Sequence, residues 1–474
     1  MNQHLLHCDQ AIFTSMRTAM GEGYRIIAVS PGLRADEKQA VTRNSPSHEG
    51  LCDAPQTDAN QAWPIAAASF YALKSGRLCV ALSCPAGAEH TGRGGQRIYT
   101  HNVVFAAAEF ASCDFNPFHV LRAMIAADLH QPCLKPPPVL EEIVLKIDTQ
   151  YDNMTMPTLH ENLCSPAGCR VLEGLLRDRC QVVDLGGSFL SSTEALLLGL
   201  PGPARAKASF GAGLRYSPSR KRTLHTLHDG KGTTKQRLVG QPLDYTDAAH
   251  LQDSPETPSA WMTFVARRWQ NGDFVKLAVE TSRAFVDVGA EARERIGRLY
   301  NDIDAIPEMS TDALLTDSLL RLRNVGNDVE QNIAAEFLAK SGRALATRFS
   351  NASWSELAPY WQSLITTWRC VDNQPAFVQP LLAAMLRTAM RDDPILAAER
   401  ALVLAQNVPS IVDGPSHTAL LDEVLTRLAA WVRSNPEADT QMVMALCGRW
   451  TSIRHNCPIL DRVRQSCPAD VGQQ

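Results

Sequence analysis

SFYALKSGRLCVALSCPAGAEHTGRGGQRIYTHNVVF, residues 69–105, contains three apolar, partly β-branched runs that are separated by turns. Such runs are typical of β-strands. The first two are joined by residues 74–77 only, which predicts a hairpin and antiparallel pairing. With the runs that precede this stretch, the predicted strands are 11–15, 24–30, 66–73, 77–83 and 97–105. A helix opened by Pro117 follows, so residues 1–138 are predicted to form an α+β module with a mostly antiparallel sheet.

The three consecutive prolines of QPCLKPPPVLEE, residues 131–142, predict a stiff spacer because proline cannot continue a helix. Beyond this spacer, strands alternate with helices, and a serine, Ser191 or Ser192, caps the second helix. The predicted elements are strands at 143–148 and 181–185 and helices at 168–179 and 191–198. Residues 139–250 are therefore predicted to form a small α/β middle module.

From residue 255 the pattern is helical. In WSELAPYWQSLITTWR, residues 354–369, the apolar residues recur at steps of three and four, which places them on one helix face. Short breaks rich in asparagine, aspartate and proline indicate successive antiparallel helices. Residues 255–474 are predicted to be all-α, and an irregular bundle and a short solenoid both fit.

The composition is that of a soluble globular protein, with 45% hydrophobic and 20% charged residues in 474. A formal net charge of −4 gives no overall reason to expect nucleic-acid or membrane binding. We expect no signal peptide and no membrane-spanning helix. The 13 cysteines are scattered, which favours reduced thiols and a cytoplasmic location. No metal site and no cofactor are predicted.

The corner GRGGQR, residues 92–97, has two interpretations. Its backbone N–H and guanidinium groups suit an anion. Phosphate loops of known mechanism, however, lie between a strand and a helix and have other glycine spacings. A chain reversal before a strand is the simpler interpretation.

A second turn, SPGLR at residues 30–34, ends a predicted strand and leads into a helix, and its glycine, Gly32, is able to adopt a positive φ. If the two turns lie at the same sheet edge, Arg34, Arg93 and Arg97 form one polar surface. We treat that surface as a hypothetical binding site.

The loop DLGGS, residues 184–188, lies between a predicted strand and a predicted helix. Ligands bind at such loops in open α/β sheets. The loop lacks the lysine and the full glycine pattern of the known nucleotide loops. It remains a candidate nucleotide loop, formed by Asp184, Gly186, Gly187 and Ser188.

Two combinations, Cys84 with His101 and Cys113 with His119, are candidates for a thiol–imidazole pair. Without a local family signature, such residues are more often packing residues. No nucleophile elbow, zinc-binding helix or Walker loop is present in the sequence. We therefore assign no catalytic residue.

Residues 205–237 are rich in basic residues and contain one acidic residue, Asp229. A solvated surface, a nucleic-acid track, an acidic protein partner and a nucleotide phosphate are all consistent with this basic segment. Its candidate binding residues are Arg205, Lys207, Arg215, Arg220, Lys221 and Arg222.

Several blocks in combination resemble a known family. Residues 12–41, 69–84, 92–105 and CDFNPF at 113–118 resemble the N-terminal domain of the GTPase-associated protein family of bacterial NTP-dependent conflict systems. FGAGLRYSPSRKRTLH, residues 210–225, resembles the block that follows the middle domain in that family. The resemblance covers the first half of the chain. It implies a GTPase or its associated assembly as partner, and it supplies no catalytic residues.

The predicted function is that of a cytoplasmic, non-enzymatic adaptor or effector-coupling component associated with a GTPase in a bacterial conflict system. One alternative is an enzyme that acts on a nucleotide at a cleft between the first two modules. The other is a nucleic-acid-binding protein that uses the basic segment, in which case binding falls steeply with salt.

Overall fold

The computed structural model describes the chain in two compact units, residues 1–298 and residues 299–474. Among the described residues, no helix has both the length and the apolar character needed to cross a membrane. The described residues are 3–18, 21–52, 63–89, 95–150, 166–184, 189–228, 238, 241–247, 258–283, 289–323, 328–370, 375–407, 415–435, 437, 439–453 and 457–467.

Within the described part of the first unit, one sheet contains ten strands in the order β10-β7-β9-β8-β3-β4-β5-β1-β2, and β6 pairs with the first half of β1. The strands are β1 (Gln3–Thr18), β2 (Gly21–Val29), β3 (Ala67–Ala72), β4 (Leu78–Ala88), β5 (Gln96–Phe105), β6 (Ile143–Asp148), β7 (Gln181–Asp184), β8 (Phe210–Ala212), β9 (Leu224–Leu227) and β10 (Asp244–Asp247). All pairs among β1 to β6 are antiparallel, whereas β7 pairs in parallel with β9 and β10, and β8 with β9.

The antiparallel part confirms the strands predicted from the sequence. The predicted hairpin between β3 and β4 is present, since the N–H of Leu73 donates to the carbonyl of Arg77 at 2.8 Å. Gly76 in this turn has a φ of +82°, which a residue with a side chain rarely adopts. An α+β first part with a mostly antiparallel sheet is therefore confirmed.

The proline-rich segment runs alongside β2. The N–H of Val29 donates to the carbonyl of Pro138 at 3.2 Å, and the N–H of Leu140 donates to the carbonyl of Val29 at 3.1 Å. The strand that follows, β6, pairs with β1, so strands from both sides of the prolines belong to one sheet. The domain boundaries near residues 138 and 250 stay predictions.

Each face of the sheet is covered by different elements of the first unit. Helix α1 (Ala35–Asn44) packs its Val41 against Tyr71, Cys79 and Val104, so we call this the α1 face. On the opposite face, Phe118 stacks on Phe210 with ring centroids 5.3 Å apart. The helices of the opposite face and of the rest of this unit are α2 (Pro117–Ala126), α3 (Pro166–Leu176), α4 (Phe189–Leu198), α5 (Gly202–Lys207), α6 (Ala260–Gln270) and α7 (Phe274–Ser282), with a 3₁₀ helix at Ala107–Cys113.

The start of α4 differs from the sequence prediction. The helix begins at Phe189, so Ser191 and Ser192 lie inside its first turns and cap nothing. All ten residues of α4 are buried, including Glu194. The Glu194 carboxylate accepts from Nη2 and Nη1 of Arg122 at 2.6 and 2.8 Å. This ion pair ties α4 to α2.

The second unit is helical, as predicted. In the tryptophan-rich segment, Leu357, Trp361, Leu364 and Ile365 are buried, and Trp354 is partly buried. Helix α8 (Ala290–Ala305) leads from the first unit into this one. The helices that follow are α9 (Thr311–Arg323), α10 (Asp328–Asn351), α11 (Trp354–Cys370), α12 (Pro375–Asp392), α13 (Pro394–Asn407), α14 (Pro415–Ser434), α15 (Thr440–Thr451) and α16 (Pro458–Ser466).

Candidate functional site

The glycine-rich corner joins β4 to β5, two antiparallel neighbours. Gly95 has a φ of +88°, and its carbonyl accepts from the N–H of Glu89 at 3.3 Å. Arg97 donates from Nη2 and Nε to the carbonyl of Ala86 at 2.7 and 3.0 Å. The described part of the corner therefore reverses the chain, and the guanidinium of Arg97 holds the end of β4. Residues 90–94 lie outside the described part.

The turn at residues 30–34 is held by a network of charges. Arg77 donates to Asp9 at 2.6 Å and to Glu37 at 3.3 Å. Glu37, which is 1% exposed, also accepts from the backbone N–H of Arg34 at 2.9 Å, an N-terminal cap for α1. Gly32 does not have the positive φ that the sequence suggested. Instead, a β-carbon at this position would lie 2.8 Å from Cγ of Asp9.

The structure does not bring Arg34 and Arg97 together. Arg34 follows the end of β2, where Ser30 donates to the carbonyl of Gln10, and Gln10 is level with Val103 on β5. Arg97 precedes Val103 by six residues on β5, and six residues of a strand span roughly 20 Å. Arg93 lies outside the described residues. The positions of Arg34 and Arg97 therefore do not support one surface formed by the three arginines.

The candidate nucleotide loop follows β7 and precedes α4, the order that the sequence predicts. Of its residues, Asp184 is described, and it accepts from the hydroxyl of Tyr245 at 3.1 Å and lies 3.4 Å from Nδ1 of His228. Gly186, Gly187 and Ser188 lie outside the described residues. The role of this loop stays a hypothesis.

The two cysteine–histidine combinations are buried in their neutral forms. Burial raises the pKa of the Cys84 thiol to about 11 and lowers the pKa of His101 to about 4. Both ring nitrogens of His101 are engaged elsewhere, with Tyr99 at 3.2 Å and Gln10 at 2.9 Å. These values oppose a thiolate–imidazolium pair, which needs a lowered thiol pKa.

The second combination has the same character. Burial raises the pKa of Cys113 to about 12 and, together with the charge of Arg122, lowers the pKa of His119 to about 3. In the part of the chain that the structure describes, no group of three or more histidine, cysteine, aspartate or glutamate residues is placed to hold a metal ion.

Arg205, the first residue of the basic segment, is part of the core and is 0% exposed. Its guanidinium donates to the carbonyls of Leu200 at 2.9 Å and Asp114 at 3.2 Å, to Ser282 Oγ at 3.2 Å, and to Thr281 Oγ1. It therefore fastens the end of α4 to α7. The prediction that Arg205 contributes to a binding surface is wrong.

Arg222 is also buried, at 7% exposed, but in a different environment. Its guanidinium lies over the ring of Tyr71, with Cζ 4.4 Å from the ring centroid, and Nη1 donates to the carbonyl of Lys221 at 3.2 Å. Nε and Nη2 have no hydrogen-bond partner. Burying an unpaired charge costs several kcal/mol, so these two donors call for a partner.

His225 lies beside Arg222 on the α1 face. It is 3% exposed, and neither ring nitrogen has a hydrogen-bond partner. Its ring meets the ring of Tyr216 edge to face at 5.1 Å. Burial, followed by the charges of Arg222 and Arg220, lowers the pKa of His225 to about 3.

Arg220 completes a group that we call the arginine cluster: Arg220, Arg222 and His225, flanked by Tyr71 and Tyr216. Burial also lowers the pKa of Arg220, and one of its Nη atoms donates to the carbonyl of Arg215 at 3.2 Å. Lys207, Arg215 and Lys221, the other basic residues named from the sequence, are exposed. Of the six basic residues named, these three are therefore the exposed ones, and the use of the segment as a phosphate track stays a hypothesis.

Sequence reasoning missed His225 and Tyr71 because they look like ordinary strand residues. What brings them together is the position of their strands, β9 and β3, on either side of β8. Gly211 of β8 is level with His225 of β9 and with Ser69 of β3, so His225 and Tyr71 emerge on one face.

The outer surface of the ribbon formed by β1 and β6 is an exposed feature of the first unit. Leu5 is 59% and Val144 is 44% exposed on this side, and His7 pairs with Val144 across the ribbon. The alternate residues Leu6 and Leu145 are buried on the inner side. Among the described residues, no strand pairs with the second edge of β6. We call Leu5, His7, Val144 and Lys146 the ribbon surface.

Comparison with known proteins gives one result. Residues 7–143 match the family model described as GTPase-associated protein 1, N-terminal domain type 2, which confirms the resemblance of the blocks between residues 12 and 118 to the N-terminal domain of that family. The match spans the antiparallel strands from the middle of β1 to the first residue of β6. No curated protein and no solved structure matches the chain.

Proposed function

We propose that the chain is a non-enzymatic adaptor that binds a GTPase and couples it to an effector in a bacterial conflict system. The observation that carries this proposal is the similarity of residues 7–143 to the N-terminal domain of GTPase-associated proteins. These residues form the antiparallel half of the sheet together with α1 and α2.

The way in which this domain uses its polar residues supports a binding role. Arg77, Asp9 and Glu37 pair with one another and fix the turn before α1. Arg97 holds the end of β4. These groups build a rigid scaffold, and a rigid scaffold limits the conformational entropy that is lost on association.

The ribbon surface is the place where we expect the GTPase to dock. Exposed apolar residues beside an open strand edge suit a partner that adds a strand or covers the face. Leu5 and Val144 are exposed on this ribbon, which adjoins both ends of the matched residues 7–143. Lys146 of the ribbon surface and the neighbouring Glu142 are exposed, and such charged residues suit the polar part of a protein contact.

Co-purification tests the proposal. The full chain, tagged at its C-terminus, is expected to retain a GTPase from its native host, identified by mass spectrometry and by GTP hydrolysis in the eluate. Leu5→Glu and Val144→Glu are expected to reduce the retained GTPase at least tenfold, because a charge in a desolvated apolar contact is costly.

Val279→Glu is the matched control, since Val279 is 43% exposed and lies on α7, away from the ribbon surface. Loss of the GTPase in all three variants would remove the ribbon surface from the proposal. Nucleotide turnover by the purified chain alone would favour the enzyme alternative.

A further inference from the structure

Within the part of the chain that the structure describes, no salt bridge joins Arg220 or Arg222 of the arginine cluster to an acidic residue. Burial lowers the pKa of Arg222, and the side chains whose charge also shifts this pKa are Tyr71, Cys79 and Arg220, none of which is a carboxylate. The acidic residues Asp9 and Glu37, on the same face of the sheet, are paired with Arg77. The buried guanidinium of Arg222 and the half-buried one of Arg220 therefore lie close together with no ion pair to a described carboxylate.

The free atoms of Arg222 define the shape of the missing partner. Nε and Nη2 form one edge of the guanidinium, and their N–H bonds point in parallel. This edge binds two oxygens of one carboxylate or phosphate group at once. The third nitrogen, Nη1, is held by the carbonyl of Lys221, so the free edge has a fixed orientation.

The charge of the cluster distinguishes between those two anions. His225 is neutral at pH 7, so the cluster carries the two positive charges of Arg220 and Arg222. A phosphate monoester carries about −1.5 to −2 at this pH, whereas a carboxylate carries a single negative charge. The neutral imidazole adds one N–H donor and one acceptor, and a phosphate oxygen accepts from the N–H.

We propose that Arg222, Arg220 and His225 form a binding site for the phosphoryl group of a small ligand, either inorganic phosphate or a nucleoside phosphate. Arg222 binds two of its oxygens through Nε and Nη2, and His225 donates to another. Arg220 and Tyr216 are half-buried and form the solvent side of the site. The site is independent of GTPase binding, and no bond is made or broken in it.

Isothermal titration calorimetry on the full chain tests this site. Inorganic phosphate, GDP and acetate are titrated separately at one fixed ionic strength, because salt screens such contacts. Phosphate, GDP or both are expected to bind with a saturable isotherm, and acetate is expected to bind at least tenfold more weakly. If GDP binds more tightly than phosphate and phosphate displaces it, the ligand is a nucleotide. If phosphate binds more tightly than GDP, the ligand is the free ion.

Two variants and a control locate the binding. Arg222→Met and Arg220→Gln are each expected to weaken binding at least tenfold, and Lys207→Gln, an exposed position of the same segment, is expected to leave it unchanged. In phosphate-free buffer, Arg222→Met is expected to melt at or above the wild-type temperature, because it removes an unpaired buried charge. If Arg222→Met fails to fold, the binding affinity of Arg220→Gln is the test of the site.

Three results would overturn the proposal. The first is that neither phosphate nor GDP binds to the wild-type chain. The second is that binding persists at wild-type strength in Arg222→Met or, where that variant fails to fold, in Arg220→Gln. The third is that acetate binds as tightly as phosphate.

Discussion

Replacement of Arg205 by methionine tests whether this residue belongs to the core or to a binding surface. The substitution keeps an unbranched side chain of similar length and removes every guanidinium donor. The carbonyls of Leu200 and Asp114 then lose charged hydrogen bonds of 2.9 and 3.2 Å. Such a bond contributes about 1.5–3 kcal/mol, and an orphaned buried acceptor costs about 1–3 kcal/mol.

Relief from burying the charge offsets part of this loss. We therefore expect Arg205→Met to lower the free energy of unfolding of the first unit by about 3 kcal/mol, within the range of buried-network mutations. With a denaturant slope near 3 kcal/mol per molar urea, the unfolding midpoint shifts by about 1 M. The expected sign is opposite to that for Arg222→Met, because the donors of Arg205 are satisfied and two donors of Arg222 are not.

Urea unfolding followed by circular dichroism and by tryptophan fluorescence measures this shift. Trp261 is a local reporter, since its indole N–H donates to the carbonyl of Gly199 at 3.0 Å, one residue before Leu200. Lys207→Met is the control, and because Lys207 is exposed we expect it to change stability by less than about 1 kcal/mol. An Arg205→Met midpoint equal to that of the wild type would refute the assignment of Arg205 to the core.

Two further predictions concern the first unit. Gly32→Ala is expected to lower the free energy of unfolding, measured in urea, by about 1–3 kcal/mol, because the added methyl group would displace the Asp9 carboxylate from Arg77. Gly448→Ala, inside α15 and with open space around it, is the control and is expected to be neutral or slightly stabilising. Equal effects of the two substitutions would contradict the close packing of Gly32 against Asp9. Burial lowers the pKa values of His101, His119 and His225 to about 4, 3 and 3, so all three are neutral in the folded protein at pH 7. Since the unfolded chain takes up these protons below a pKa of about 6.5, we expect the free energy of unfolding to fall by about 2 kcal/mol per histidine between pH 7 and pH 5. A urea midpoint that is unchanged between these pH values would contradict this.

The local parts of the fold were predictable from the sequence, because they depend on neighbours along the chain. The four-residue turn at 74–77 specifies its own hairpin, and the period of the tryptophan-rich segment specifies helix α11. The pairing of β6 with β1 was not predictable, since it joins residues about 140 positions apart and depends on the whole sheet. The prolines before β6 predict a rigid segment, but they do not indicate which strand β6 pairs with.

The site was predictable only in part, because charge can be read from a sequence whereas burial cannot. Arg205, Lys207 and Arg222 look equivalent in a basic segment, yet the structure places one in the core, one on the surface and one beside a tyrosine ring. The charge of Glu194 is likewise visible in the sequence, whereas its burial beside Arg122 is not. Each of these outcomes depends on which strand or helix lies opposite.

Direct titration of the purified chain with the GTPase it retains tests the central claim. The adaptor account predicts saturable binding, weakened at least tenfold by Leu5→Glu, and no GTP hydrolysis by the chain alone above the buffer rate. If the isolated chain hydrolysed GTP and lost this activity on replacement of a single polar residue, or if no GTPase bound to it, the account would be contradicted.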